Sequence, residues 1–304
     1  MLTRSDITPL LEAGLRADFM AAFREVTDQL VYSRLATVVR VSQPVQRYGW
    51  LGSLPAMREF VDERQPQELN AWSYLIEDRT WEATLAVERR ALEDDQIGAV
   101  RMRIQELGRE AAHHRDRLVI EALLNGFDTA CYDGKPLFAS NHLTGAGAQV
   151  NTTSAVLSND ALQEAISAMM LFTDDKGRPL GINPNTLLVG PRLRWTAAEL
   201  LESPVVVRES DPGTPYRNAL QGALSLVVSP HITGTEWFVL DTSRTMRGVI
   251  FQERQDVPLE LRTTANPVDG ETLFLRDVIY CGARARYGVG YGLWQTVYGA
   301  QPGD

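Results

Sequence analysis

A long run with helical periodicity, between about residues 96 and 124, constrains this chain more than any other feature. Arginines and glutamates separate apolar positions that recur mostly at three- and four-residue steps: Ile97, Val100, Ile104, Leu107, Ala111, Leu118 and Ala122. Glu93-Asp94-Asp95 offers an N-cap, and Asn125-Gly126 offers a C-terminal stop. Such a helix would be roughly 40 Å long, whereas average helices have about 11 to 12 residues. The run therefore predicts one long helix that acts as a rigid support for the rest of the fold.

The segments around this helix predict an α+β fold with two lobes. An apolar stripe that includes Phe19 and Phe23 predicts a helical arm from Asp6 to about Leu30, packed against something else. Residues 35–41 and 81–88 have the pattern of strands. Further along we predict a helix that is capped by Ser158-Asn159-Asp160 and runs to about residue 172, a buried strand at 186–189, a helix over 192–201, a loop at 211–215, and strands at 224–228, 236–240, 248–252 and 273–287. The terminal strand segment is placed to rejoin the long helix.

Residues 44–70 have no steady period and predict an extended loop. Between 48 and 60 large apolar side chains alternate with Gly and Pro, and such a loop cannot bury that much apolar surface against itself. We therefore expect its apolar residues to contact a partner protein, foremost Trp50, Leu51, Leu54, Met57 and Phe60.

Composition excludes several classes of protein. The net charge of −9 argues against a broad basic face for nucleic acid, although a wall that merely encloses DNA would tolerate it. No stretch approaches the roughly 20 apolar residues of a membrane span, and the N-terminus lacks a signal-peptide pattern, so we expect a soluble, cytoplasmic chain. The two cysteines, Cys131 and Cys281, lack CxxC spacing and are expected to be buried free thiols.

Candidate catalytic and metal-binding residues are few, since the chain has four histidines. His113 and His114 diverge by about 100° around a helix, so they cannot form one ligand edge, and a solvent or interface role is expected. His142 and His231 lie in turn-like segments without a nearby cysteine and are interpreted as structural. We predict no metal and no cofactor.

Other motifs have structural interpretations as well. The run Gly288-Val289-Gly290-Tyr291-Gly292 resembles a nucleotide-binding loop only superficially, because its third glycine comes one residue early and no helix follows. Glu93-Asp94-Asp95 is interpreted as a helix cap, and Asp174-Asp175 as a surface turn. With no catalytic cluster, we predict that the chain is not an enzyme.

Several motifs, spread in order from about residue 3 to 298, resemble the Mu-like phage major head subunit family. They are Tyr48-Gly49-Trp50-Leu51-Gly52 with Pro55, Met57-Arg58-Glu59 and Arg64; Val87-Glu88-Arg89 with Glu93-Asp94-Asp95; Asp133-Gly134-Lys135-Pro136-Leu137-Phe138; Asn183-Pro184 with Leu187-Leu188-Val189; and residues 285–295. The resemblance implies the Hong Kong 97 phage capsid fold. It assigns residues 1–45 to an N-terminal arm, 46–90 to an extended loop, 91–150 with 251–304 to a peripheral domain with a long spine helix, and 151–250 to an axial domain.

The resemblance also implies what the chain does. Subunits would form pentamers and hexamers and close into an icosahedral head around double-stranded DNA, without sequence-specific DNA binding and without a membrane. The expected contact residues between subunits are Trp50, Leu51, Leu54, Pro55, Met57, Arg58, Phe60, Arg64, Phe19 and Phe23. The expected location is the virion, after assembly in the host cytoplasm.

Assembly partners and alternatives complete these expectations. Separate scaffold or protease, portal and decoration proteins are expected. The scaffold is expected to be separate because the chain begins directly with the arm and so is not expected to carry a fused scaffolding domain. Some shells of this fold are cross-linked through a lysine of the extended loop, but residues 46–90 contain no lysine, which predicts a non-covalent shell. A cargo-binding nanocompartment of the same fold, and a soluble hydrolase, remain alternatives.

Overall fold

The computed structural model describes residues 4–49, 73–88, 90, 97–208, 211–256, 258–263 and 278–303. Its helices are α1 (Arg4–Thr27), α2 (Tyr32–Leu35), α3 (Ile97–Leu124), α4 (Asn159–Met170) and α5 (Arg194–Glu202). Its strands are β1 (Ala36–Val41), β2 (Val45–Tyr48), β3 (Tyr74–Glu77), β4 (Arg79–Glu88), β5 (His142–Thr144), β6 (Gly147–Gln149), β7 (Thr152–Thr153), β8 (Thr186–Val189), β9 (Val205–Arg208), β10 (Asp211–Arg217), β11 (Ser225–Val228), β12 (Trp237–Leu240), β13 (Val249–Arg254), β14 (Glu260–Thr263), β15 (Val278–Tyr291) and β16 (Val297–Ala300).

The long helix α3 confirms the strongest prediction from the sequence. Its 28 residues make it about 42 Å long at 1.5 Å per residue. Val100, Ile104 and Leu123 of the helix are buried, and Leu107 and Leu118 are half-buried against the core. The predicted cap at Glu93-Asp94-Asp95 lies outside the described residues. None of the described helices is long and apolar enough to cross a membrane.

Helix α1 packs along α3, and a glycine sets the distance between them. A Cβ built on Gly108 would lie 2.5 Å from the Phe19 carbonyl oxygen and 3.3 Å from the Phe23 backbone nitrogen. Only a residue without a side chain lets the two backbones approach so closely. The Arg101 Nε to Asp18 Oδ2 ion pair, at 2.6 Å, ties the same two helices at the surface. The arm helix is therefore folded onto its own subunit.

The first sheet is organised around the long strand β15. On one edge β15 pairs antiparallel with β4; on the other it pairs antiparallel with β13 and β14. Strand β1 adds to β13 in parallel. Tyr291 Oη donates to the Ala122 carbonyl oxygen of α3 at 2.9 Å, so the last strand segment returns to the long helix, as the sequence predicted.

The second sheet has the order β11, β8, β12, β16 and β7. Strands β8, β12 and β16 are buried at every position, which explains the continuous apolar sequence of residues 186–189. Ser158 Oγ accepts from the Ala161 N–H and caps α4, as predicted. Strand β16 belongs to this sheet, whereas the domain boundaries expected from the resemblance placed residues 297–300 in the peripheral domain with 251–296.

One local prediction is wrong. Residues 211–215 were predicted to be a loop, but they lie in strand β10, which pairs antiparallel with β9. Pro212 and Pro215 argued against a strand because proline lacks a backbone donor. The register shifts between Asp211 and Pro215, and this irregularity accommodates the prolines without breaking the hairpin.

Candidate assembly surfaces

Most residues predicted to contact neighbouring subunits lie outside the described residues: Trp50, Leu51, Leu54, Pro55, Met57, Arg58, Phe60 and Arg64. The other two, Phe19 and Phe23, lie inside the subunit, where Phe19 is 0% exposed and Phe23 is 7% exposed. The Arg115 guanidinium lies 4.9 Å from the centre of the Phe23 ring. In the single chain both phenylalanines are covered, because the apolar side of α1 packs against α3 of the same subunit.

A two-stranded stem carries the ends of the predicted extended loop. Strands β2 and β3 pair antiparallel, with Tyr48 opposite Tyr74, so the chain leaves and re-enters the stem at adjacent points. Tyr48 is buried, and its Oη donates to Gln252 Oε1 at 3.2 Å. Burial raises the pKa of Tyr48 to about 12, so the hydroxyl keeps its proton near neutral pH. The stem is therefore anchored to β13 of the first sheet.

A small set of large apolar side chains is exposed among the described residues. Trp195 of α5 is 74% exposed, and the Arg194 guanidinium lies 5.1 Å from the centre of its ring. Leu143 and Leu171 are 75% and 76% exposed. They flank a hydrogen bond at 3.3 Å between the hydroxyls of Thr144 and Thr173, which joins their two segments. These side chains are candidates for contact with another protein, because a neighbour that covered them would remove apolar surface from water.

A buried cluster brings together Cys131, Asp133 and His142, whose potential ligand atoms lie within 4.8 Å of one another. The Cys131 Sγ donates to Asp133 Oδ1 at 3.0 Å, and the His142 Nδ1 lies 2.6 Å from Asp133 Oδ2. The His142 ring stacks on Trp294 with a centroid distance of 4.1 Å and an angle of 5°. The interpretation that His142 has no cysteine nearby is wrong, because the turn at Asp133-Gly134 brings the two segments together.

The hydrogen bonds of this cluster stabilise the turn at Asp133-Gly134. The Asp133 carboxylate also accepts from the Lys135 N–H at 3.0 Å, so it has three donors around it. Burial alone would raise the pKa of Asp133, but the hydrogen bonds from His142, Cys131 and Lys135 outweigh it and lower the pKa. Burial, and then the bond to Asp133, raises the pKa of Cys131, so its thiol stays protonated. A metal ion would have to displace all of these hydrogen bonds.

A second polar contact joins α3 to the first sheet. His113 is exposed, whereas His114 is half-buried, with Nδ1 2.5 Å from Tyr287 Oη. Burial raises the pKa of Tyr287 to about 12; burial and then nearby Arg117 lower the pKa of His114 to about 4. The phenol therefore donates to a neutral imidazole beside a cavity of about 240 Å³ that Trp81 also lines. Within the single chain, His114 binds Tyr287 of β15, whereas His113 faces solvent.

Solved shell proteins share this architecture. The procapsid of bacteriophage JBD30 matches with a TM-score of 0.58 and 24% identity, over 97% of this chain and 76% of that chain. A virus-like particle from Pyrococcus furiosus matches with a TM-score of 0.53 and 11% identity, over 95% and 98%. The SrpI encapsulin complex from Synechococcus elongatus matches with a TM-score of 0.51 and 14% identity, over 88% and 85%. The chain therefore has the fold of these shell proteins, which is the Hong Kong 97 type, with the long helix α3 and the β2–β3 stem.

Sequence comparison identifies the family within this class. The family described as "Mu-like prophage major head subunit gpT" matches residues 9–160, 149–232 and 233–302. The FluMu prophage major head subunit of Haemophilus influenzae is 28% identical over 96% of this chain and 72% of the relative. The major capsid protein of Escherichia phage Mu is 28% identical over 97% and 73%. The chain belongs to the Mu-like prophage major head subunit family, and it is a structural capsid protein of the phage particle, not an enzyme.

Proposed function

We propose that this capsid protein forms pentamers and hexamers, which close into an icosahedral head around double-stranded DNA without covalent links between subunits. The observation that carries the proposal is the exposure of Trp195, Leu143 and Leu171, which are 74%, 75% and 76% exposed in the single chain. Copies of the same subunit are the partner that a capsid protein meets most often. Rotational repetition of one heterologous contact gives closed rings, and rings that meet through other contacts give a shell.

The extended loop is the second proposed contact. Its sequence between residues 50 and 64 holds large apolar side chains with Gly and Pro, and its stem is anchored to the first sheet. We expect Trp50, Leu54 and Phe60 to be covered by a neighbouring subunit, with Leu51, Pro55, Met57, Arg58 and Arg64 in the same interface.

The net charge of the chain and the proteins that are similar to it support the other proposed partners, which are DNA, a decoration protein, and scaffold and portal proteins. A net charge of −9 suits a wall that encloses DNA and does not bind it in a sequence-specific way. A capsid of bacteriophage JBD30, similar in fold, is decorated with minor capsid protein trimers, which supports a decoration partner here. Separate scaffold or protease and portal proteins would act during assembly in the host cytoplasm.

Electron microscopy of the full chain tests the proposal. The chain is expressed with and without the other head proteins of its phage, and particles are imaged and sized. We expect closed shells with five- and six-fold capsomers, and Trp50→Ser with Phe60→Ser should reduce their yield, whereas Glu121→Ser on the exposed side of α3 should not. A compact monomer at high concentration, even with the assembly proteins present, contradicts the proposal. Small particles filled with a protein cargo would instead indicate a nanocompartment.

A further inference from the structure

The stem of the extended loop lies across one face of the first sheet, and α3 lies on the other. Successive side chains of a strand point to opposite faces. In β15, Tyr287 and Tyr291 contact α3 through His114 and the Ala122 carbonyl. The positions between them, Gly288 and Gly290, must therefore face away from α3, and there the chain of β3 crosses them.

Glycine is required at both crossing points. A Cβ on Gly288 would lie 2.5 Å from the Glu77 carbonyl oxygen and 3.2 Å from the Asp78 Cα, and these backbone atoms cannot turn aside. A Cβ on Gly290 would lie 2.6 Å from both Cγ1 and Cδ1 of Ile76, which is buried. Gly282, in the same strand, has only the Thr84 hydroxyl at 3.3 Å. Gly288 and Gly290 thus leave a flat surface, which we call the seat, against which the stem packs. The glycine run that resembles a nucleotide-binding loop has this structural role.

A buried group of charges holds the stem beside this seat. The Asp78 side chain is 0% exposed, and its Oδ2 lies 2.9 Å from Arg286 Nε and 3.7 Å from Arg254 Nη1. Arg254 is in turn paired with Asp256 at 2.5 Å. The group has two positive and two negative charges. Lifting the stem would move the Asp78 carboxylate away from both guanidinium groups, so it would give up their electrostatic attraction.

We propose that Gly288, Gly290 and Asp78, with Arg254 and Arg286, position the extended loop by fixing the angle at which it leaves the subunit, and thereby set the geometry of the shell. The inference rests on the proposed function, because the angle matters only if the loop contacts neighbours. A Cβ on Gly288 requires a shift of about 1 Å to reach an ordinary contact of 3.4 Å. Over a four-residue stem of about 13 Å, that shift is a tilt of about 4°, which every subunit of a shell would repeat.

The decisive comparison is Gly288→Ala against Gly282→Ala, in the full chain and in the expression setting that gives wild-type shells. Hydrogen exchange on the unassembled subunit measures how firmly the stem packs on the first sheet, and electron microscopy measures the diameter and closure of the particles. We expect Gly288→Ala to speed exchange of the amides of residues 74–77 at least tenfold, and to give shells of altered diameter or open sheets. Gly282→Ala should behave as wild type in both measurements.

Two further variants keep the test decisive if Gly288→Ala fails to fold. Gly290→Ala should show the same defects, and adding Ile76→Ala should restore particles of wild-type size. The second change removes the two nearest atoms, Cγ1 and Cδ1 of Ile76 at 2.6 Å, and leaves Tyr74 Cε1 at 3.1 Å. Asp78→Asn should loosen the stem by the same exchange measure. Closed shells of wild-type diameter from both Gly290→Ala and Asp78→Asn would overturn the inference. If the wild-type chain forms no shell at all, the proposed function fails, while the exchange measurement still decides whether the seat holds the stem.

Discussion

The contact between α1 and α3 makes a quantitative prediction through Gly108→Ala. In an exposed helix interior, glycine to alanine stabilises by up to about 1 kcal/mol, because alanine has the higher helix propensity. Gly108 is not such a site, since its Cβ would lie 2.5 Å from the Phe19 carbonyl oxygen. The two helices would have to separate by about 1 Å to relieve this contact. The Phe19 oxygen is a backbone atom and the backbone fixes the position of a Cβ, so side-chain rotation cannot relieve it.

The expected magnitude follows from the side chains that the separation exposes. Overpacking of this kind costs about 1–3 kcal/mol. Complete undocking of α1 would lose the burial of Leu15, Phe19 and Phe23, which are 4%, 0% and 7% exposed. At about 1.5–3 kcal/mol for each side chain, this sets an upper bound of roughly 5–9 kcal/mol. With the propensity gain of about 1 kcal/mol subtracted, we expect a net destabilisation of up to about 2 kcal/mol, which lowers the melting temperature by up to a few degrees.

Thermal melting of the unassembled chain and hydrogen exchange of α1 measure this effect. The matched control is Gly98→Ala in the first turn of the same helix, where a Cβ meets nothing within 4 Å. That variant should melt at the wild-type temperature or slightly above it, with unchanged exchange in α1. If Gly108→Ala melts as high as Gly98→Ala and leaves exchange in α1 unchanged, then α1 does not pack on α3 as described.

Three other predictions follow. Because residues 46–90 contain no lysine, purified shells boiled in detergent should give a single monomer band; a ladder of multimers would refute the non-covalent shell. Burial and nearby Arg117 lower the pKa of His114 from 6.5 to about 4, so the stability from its neutral form is present above pH 6.5 and is lost as pH falls through 4. His114→Gln should flatten the melting temperature between these pH values, and a curve identical to wild type would contradict this. Trp195→Ser, at a residue 74% exposed, should reduce assembly yet leave the melting temperature of the subunit within about 2 °C of wild type; unchanged assembly would remove Trp195 from the interface.

Predictions that depend on local sequence were confirmed. Helix α3 was predicted within a residue of its observed start and end, because apolar periodicity over 28 residues admits few other structures. Strand β8 and the Ser158 cap of α4 were predicted for the same reason, since burial on both faces and an N-cap each leave a short local pattern. The motifs that resemble the Mu-like family likewise identified the fold and the capsid role.

Contacts between segments that are distant in sequence could not be predicted. His142 and Cys131 are eleven residues apart with no ligand spacing, and only the turn at Asp133 brings them together. The stripe with Phe19 indicated that α1 packs against something, but whether that surface belongs to the same subunit or to a neighbour has no local signature. Strand β10 was missed because its register shift appears only when β9 is beside it.

The sequence by itself determined the length of the long helix, the α+β class and the membership of a capsid family, because periodicity and ordered motifs are properties of the chain alone. Tertiary structure decided which surfaces are left for assembly. It covers Phe19 with α3, leaves Trp195 in water, and places the stem of the extended loop against Gly288. The physical reason is that burial and close backbone approach are relations between segments distant in sequence, and they exist only after the sheets and helices have packed.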